Sequence, residues 1–281
     1  MRASLKVFDP GLLLLQADWP APPGVVCACT TRQTGVSEPP WDSLNLGDHV
    51  ADAPASVQEN RRRLQHHVQQ QGAGQLVYLR QVHGVEVVEP LAGETHWEAD
   101  GAISQDPGVC LIMLVADCLP ILLTDRAGRT VAALHAGWRG LAGQAGGNVV
   151  SQALAAFAER GHGASDLLAW LGPCIGPQAF EVGDEVRQAF VARLGAQAAA
   201  CFQAAPPGVD AKGRVLPKWR ADLAGLARGH LVRAGVGGVY GNDSSPAWCT
   251  VSQADLFFSH RRDTGRLGAS GRFGAFIGLR R

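Results

Sequence analysis

A chain of 281 residues is long enough to bury a sizeable core; no linker divides it, so residues 1–281 are expected to form one domain. Its 25 basic residues balance 25 acidic ones, leaving no net field to draw in nucleic acid or an anionic membrane and pointing to a small-molecule partner. The apolar fraction of 46% is that of a globular protein, yet no stretch approaches 18 uninterrupted apolar residues: LIMLVADCLPILL is broken by Asp117, and Leu12 to Leu15 is too short for a signal sequence. A cytoplasmic protein without a membrane span is expected.

Short apolar or alternating runs closed by Gly, Pro or Asp read as strands, the first at 25–32 (VVCACTTR). A helical pattern follows from Pro54 to Gln71 behind an Asp52 cap. Five more strands are predicted at 75–79, 85–89, 109–115, 120–125 and 130–135, with Asp125-Arg126-Ala127-Gly128 turning a hairpin between the last two. Beyond them come a helix from Leu141 to Arg160, a strand at 166–172, and helices from Gly183 to Leu194 and from Pro217 to Ala234. Strands in succession before the helices favour an α+β fold over a regular alternation. Seven cysteines, an odd number without small-scaffold spacing, argue against a disulfide framework and for a reducing compartment. Cys27 and Cys29 share a strand face, where packing is the ordinary role.

Three residues stand out for chemistry. His83, Cys118 and His135 each sit at the turn-like end of an apolar run, in RQVHG, ADCLP and HAGWRG. Two imidazoles and a thiolate are zinc ligands, and three protein ligands leave a fourth tetrahedral position open, as in a catalytic site. Separations of 35 and 17 residues make no compact metal module, so on spacing alone a buried structural Cys with two turn histidines stands equally open. The predicted hairpin brings Cys118 beside His135, while His83 must be delivered by the fold. Gly137 and Gly140 are small enough to let a ligand or another backbone approach closely.

Nine short motifs carry a wider resemblance. TTRQTGVS (30–37), WDSLNLGDHV (41–50), RQVHG, ADG (99–101), ADCLP, HAGWRGL, LGPCIGP (171–177), FEVG (180–183) and FFSHRRDTGR (257–266) follow the order and rough spacing of the YfiH/laccase-domain family. The chain resembles that family over about residues 25 to 278; its members have carried the names multicopper polyphenol oxidase, purine nucleoside phosphorylase and peptidoglycan editing factor. The resemblance implies a single domain of mixed β-sheet flanked by helices, like that of bacterial cytotoxic-factor deamidases that use a Cys/His pair. It also implies zinc on His83, Cys118 and His135, and a purine nucleoside and phosphate as partners of a monomer or homodimer. The implied activities are phosphorolysis of adenosine, inosine, guanosine or methylthioadenosine, and deamination of adenosine. Around Cys118 and His135 it places Asp117, able to orient a metal-bound water or an imidazole, and Arg32, Asn45, His49, Gln81 and Arg139. Arg32 and Arg139 would clamp phosphate by bidentate hydrogen bonds; Asn45, His49 and Asp117 read equally as turn residues that satisfy local backbone groups.

Other readings follow from the same residues. A blue-copper oxidase needs about ten histidines, mostly paired as H-x-H; this chain has nine and no such pair, so copper laccase chemistry fits poorly, although copper can enter a His2Cys site. A Cys/His hydrolase, with Cys118 as nucleophile and His135 as base, would instead edit a wrongly built muramyl nucleotide. Cys174 reads as a core residue, and Arg261, Arg262 and Arg266 as a solvated basic loop. Two features depart from the family pattern: the C-terminal TGRLGASGRFGAFIGL is unusually rich in glycine, and Gly146-Gly147 weakens the helix after HAGWRG, each glycine costing roughly 1 kcal/mol against alanine.

Overall fold

The longest apolar runs are continuous because their strands are buried on both faces. In the computed structural model, which describes residues 4–8, 11–94 and 97–281, one six-stranded sheet runs in the order β1 (Ser4–Phe8), β2 (Leu12–Gln16), β3 (Val25–Thr30), β15 (Phe273–Leu279), β7 (Val109–Val115) and β4 (Gln75–Tyr78). A second runs β14 (Gly238–Gly241), β10 (Leu167–Leu171), β8 (Leu119–Asp125), β9 (Val131–Ala136), β6 (Gly101–Ser104) and β5 (Val87–Val88). A small antiparallel sheet joins β11 (Glu181–Gly183), β13 (Val215–Ala221) and β12 (Phe202–Val209). Both large sheets are mixed, since β4 pairs β7, β10 pairs β14 and β5 pairs β6 in parallel among otherwise antiparallel neighbours.

The two-residue period of a strand sorts the side chains into layers. Leu111, Met113 and Val115 of β7 meet Leu122, Val131 and Trp170 between the two large sheets. The alternate residues Ile112 and Leu114 turn outward and pack with Leu64 and Val68 of α1 (Pro54–Gln70). On the far side of the second sheet, Leu119, Ile121 and Leu123 of β8 pack with Phe157 of α3 (Val149–Glu159), Phe190 of α4 (Asp184–Leu194) and Leu226 of α6 (Leu223–Arg233). The short α2 (Trp138–Ala142), α5 (Ala196–Ala199) and α7 (His260–Leu267) complete seven α-helices among the described residues, and the architecture is α+β as the sequence predicts. Each fully buried Leu or Phe contributes about 1.5–3 kcal/mol, so the sandwich is a rigid frame for whatever its edges carry.

Several expectations need correction. The predicted helix 141–160 is two helices: α2 stops at Gly143 (φ 80°), and Gly147 (φ 121°) also takes a conformation that side chains resist. The chain restarts at Asn148, which caps α3 by accepting from the Ser151 amide at 2.9 Å while its own amide donates to Ser151 Oγ at 2.8 Å. Residues 217–221 form strand rather than helix; Pro217 sits where the β12–β13 register shifts, a place for a residue without an amide hydrogen, and α6 begins only after Asp222. Asp52 does not cap α1: the N-cap is Ala53, Pro54 supplies the preset first turn, and Asp52 accepts from Asn45 instead. The glycine-rich C-terminal run ends in β15, a fully buried strand between β3 and β7. All seven cysteines are free, and among the described residues no helix is long and apolar enough to cross a membrane.

Candidate metal centre and substrate cleft

The chain passes from one large sheet to the other through Ala116, Asp117 and Cys118, between the end of β7 and the start of β8. Asp117 takes a left-handed conformation (φ 90°), costly for a residue with a Cβ and tolerated only when its surroundings enforce it. They do: its carbonyl accepts from Ile175 at 2.9 Å, and its carboxylate accepts from Thr250 Oγ1 at 2.6 Å and from the Arg261 amide at 2.7 Å. This turn presents Cys118 at the open end of the sandwich. The β8–β9 register pairs Pro120 with His135, so the thiol and the imidazole adjoin as the hairpin predicts.

His83 is delivered by a buried carboxylate. Successive amides of Val82, His83 and Gly84 donate to Asp100 at 3.1, 2.9 and 2.6 Å, and His83 is held at φ 61°. The same Asp100 lies 2.7 Å from His135 Nδ1, which occupies that nitrogen and leaves Nε2 to face the cleft. One side chain therefore sets both imidazoles. The HAGWRG glycines allow the approach: a Cβ on Gly140 would lie 2.5 Å from the Gly84 oxygen, and one on Gly137 would lie 2.9 Å from His83 Cδ2 and 3.2 Å from Cys118 Sγ.

The donor atoms of His83, Cys118 and His135 all lie within 4.8 Å of one another, with Cys118 Sγ 3.8 Å from His83 Nε2 and the two imidazoles edge to face at 4.8 Å. Burial raises the Cys118 thiol, but the neighbouring His135 outweighs it and draws the thiol down to about 6. Burial likewise lowers His135, while the Cys118 thiolate and Asp100 push it up to about 9. The metal-free pair is thus a thiolate beside an imidazolium at neutral pH, a donor set ready for a thiophilic cation once the imidazole proton leaves. The residues fit a metal ion held by two imidazoles and one thiolate, and no other group of three or more such donors forms among the described residues.

The triad opens into a cleft of about 1380 Å³. Of the residues nominated from sequence, His49, Gln81, Asp117 and Arg139 line it; Arg32 and Asn45 do not. Arg32 is committed elsewhere, donating to the Asp42 carbonyl and carboxylate and to Ala254 while stacking 4.6 Å over Phe258. Asn45 is fully buried and pins backbone, accepting from Gly47 and Arg272 and donating to Asp52. Gln81 uses both ends of its amide on Leu114, each at 2.8 Å, extending the β7 ladder. Arg139 is exposed, lies 4.6 Å over Trp138, and has no hydrogen bond or ion pair among the described residues. Arg261, Arg262 and Arg266 belong to α7 rather than a loop. Arg261 enters the cleft wall with its guanidinium on the Ala179 and Glu181 carbonyls, whereas Arg262 is tied to Asp263, Thr250 and Phe257. Cys174 is buried, and burial drives its thiol well above the usual range, consistent with a core role. Sequence reasoning missed Asp100, although its ADG motif was noticed, and Arg272, which lines the cleft from just before β15.

Residues 26–280 match the family model described as multi-copper polyphenol oxidoreductase laccase. The chain belongs to that family. A relative from Escherichia coli K12, named purine nucleoside phosphorylase YfiH, is 43% identical over 272 residues, covering 95% of this chain and 98% of its own length. Two crystal structures of family proteins superpose closely. A Neisseria meningitidis protein gives a TM-score of 0.79 at 42% identity, covering 95% of this chain and 99% of its own. YlmD from Geobacillus stearothermophilus gives 0.78 at 31% identity, covering 95% and 96%. The copper in the family's description meets, among the described residues, a single three-donor group, enough for one metal ion and not for the several that a multicopper enzyme assembles.

Proposed function

We propose that this chain is a zinc-dependent purine nucleoside phosphorylase acting on adenosine, inosine, guanosine and methylthioadenosine, with a second activity that deaminates adenosine. The observation that carries the reading is a three-donor metal site on the wall of a cleft that offers an apolar side for a base and guanidinium groups for an oxyanion. The names of the E. coli relative and of others at similar identity support its phosphorolytic part. Two nitrogen donors and one sulfur suit Zn2+, which when bound supplies Lewis acidity at neutral pH.

The chain's own residues do the rest. Trp138, Ile175, Phe180 and Leu223 form the apolar side, where a purine can exclude water. In phosphorolysis a phosphate oxygen bonds to C1′ as the C1′–N9 bond breaks, and the electron pair leaves with the base, which takes up a proton. Arg139, stacked on Trp138 and without a hydrogen bond or ion pair among the described residues, orients the phosphate by charge-assisted hydrogen bonds. Asp117, its carboxylate occupied by Thr250 and Arg261, acts by holding Cys118 in place. Deamination exchanges the C6 amino group for an oxygen from water and releases ammonia. The test is product analysis: inosine with phosphate yields hypoxanthine and ribose 1-phosphate, and adenosine without phosphate yields inosine. A protein that releases no free base at any phosphate concentration while acting on a muramyl nucleotide would replace this reading.

That second reading has its own observation. Cys118 Sγ lies 3.8 Å from His83 Nε2 and its thiol is drawn down to about 6, the environment of a cysteine nucleophile. Chelation separates the two: a cysteine hydrolase keeps its activity without metal and loses it on alkylation, whereas the phosphorylase follows metal content.

A further inference from the structure

The cleft wall carries many arginines, yet the fold neutralises most of them. Arg61 pairs with Asp48 at 3.2 Å and donates to the Leu46 carbonyl. Arg62 is held by Glu59, Arg80 by Glu98, and Arg261 by two carbonyls. Arg272 differs. It stands one residue before the Phe273–Val115 pair of β15 and β7, and so beside Ala116, at the turn that presents Asp117 and Cys118. Its Nη1 donates to the Ser270 and Gly271 carbonyls at 2.8 and 3.0 Å, while Nε and Nη2 have no hydrogen-bond partner among the described residues and the guanidinium feels the charges of Cys118 and Asp117 at the metal corner. A second segment fixes its backbone: its amide donates to Asn45 Oδ1 at 2.8 Å and its carbonyl accepts from Leu46 at 2.9 Å. Its stem lies across Gly47, where a Cβ would come within 2.8 Å of Arg272 Cγ. Asn45 and Gly47 of the SLNLGDH segment thus share one task, which is to aim this guanidinium.

We propose that Arg272 anchors an oxyanion subsite of the cleft, presenting the unpaired edge of its guanidinium to a phosphate group next to the metal corner. The inference builds on the phosphorolytic reading, because it names the residue that would hold that reaction's oxyanion. A half-buried, already ordered fork loses little freedom on binding and meets two phosphate oxygens at once, whereas the exposed Arg139 has no hydrogen bond to hold its fork in place. The phosphate can come from two sources, free inorganic phosphate or the diphosphate of a nucleotide-linked sugar, and the chemistry of recognition is shared.

Titrating inorganic phosphate, and separately uridine diphosphate, into the purified protein with its metal content measured tests the subsite without any turnover. Arg272→Gln should raise the phosphate dissociation constant about tenfold to a hundredfold, with Arg272→Lys in between, while metal content and inosine binding stay unchanged. Gly47→Ala keeps the arginine and displaces its stem, so it should weaken phosphate several-fold even if the Arg272 variants fail to fold. Arg272-dependent binding of uridine diphosphate without inorganic phosphate would uphold the subsite while removing phosphorolysis. Phosphate affinity within twofold of the parent in folded Arg272→Gln, or in Gly47→Ala should that variant not fold, would overturn the proposal. So would a parent protein that binds neither compound.

Discussion

The metal corner and the arginines line one cleft, and they are built on opposite principles. At the corner each donor is over-determined: Asp100 holds three successive amides and an imidazole, Thr250 and Arg261 hold the Asp117 turn, and two glycines bring the segments together. Along the wall most cations are spent on local partners, and those with unpaired donors are few. The difference shows where specificity for a ligand resides: charge count along the wall says little, and the partner of each guanidinium says nearly everything. The comparison can be broken at its strongest point first. Replacing His83, Cys118 or His135 by alanine should lower metal affinity by more than the ten- to hundredfold expected of an outer partner, with activity following. Full metal content in all three purified variants, measured by elemental analysis, would dissolve the corner as a metal site.

Asp100 sets the next largest effect. Asp100→Asn keeps the shape but cannot accept from three amides and an imidazole as a carboxylate does, so metal affinity should fall about ten- to a hundredfold. Competition with a coloured chelator reads this directly, and Asp100→Glu should restore only part, because the nest of amides is sized for the shorter side chain. A parent-like affinity in folded Asp100→Asn would mean that the glycines and strand ends alone place the imidazoles.

The contrast also separates what the sequence displays from what it conceals. The β7 and β8 runs, the hairpin at Asp125 and hence the meeting of Cys118 with His135 follow from period and turn chemistry. The close approach at Gly137 and Gly140 was legible as small residues beside a strand end. Asp100 was not, because ADG is a short string whose meaning lies in amides 16 to 18 residues earlier and an imidazole 35 residues later. Arg272 was further out of reach: its partner Asn45 is 227 residues away, and its strand reads as a glycine-rich tail until β3 and β7 enclose it. Arg32 shows the converse. A motif placed it near the chemistry, and the fold spends it on Asp42 and Phe258.

The proton inventory at the corner gives a sharper test at smaller amplitude. In metal-free protein the Cys118 alkylation rate should be half-maximal near pH 6 and fall about tenfold per unit below it, since only the thiolate attacks. Bound metal should protect it. The depressed Cys118 value stabilises the fold above its ordinary value of 9.0, and that contribution is lost as pH falls through about 6. The raised His135 value stabilises below its ordinary 6.5 and is lost as pH rises through about 9. The two run in opposite directions between pH 6.5 and 9, so the pair leaves metal-free stability nearly flat there. An alkylation midpoint near pH 9 would show that the imidazolium does not face the thiol.

The smallest effect compares two arginines that sequence alone treated as equals. Arg32 is largely buried, with 12% of its side chain exposed, and its donors serve the Asp42 and Ala254 segments; Arg32→Ala should cost about 1–3 kcal/mol of stability and leave phosphate binding within twofold. Arg139 lies on the surface of α2 over Trp138, so Arg139→Ala should change stability by less than about 0.5 kcal/mol while weakening phosphate use several-fold. Thermal melts paired with phosphate titrations on both variants read the two axes independently. The inverse pattern, with Arg32→Ala weakening phosphate and Arg139→Ala lowering the melting point, would mean that the cleft extends to the Asp42 segment in the working protein and that Arg32, not Arg139, meets the ligand.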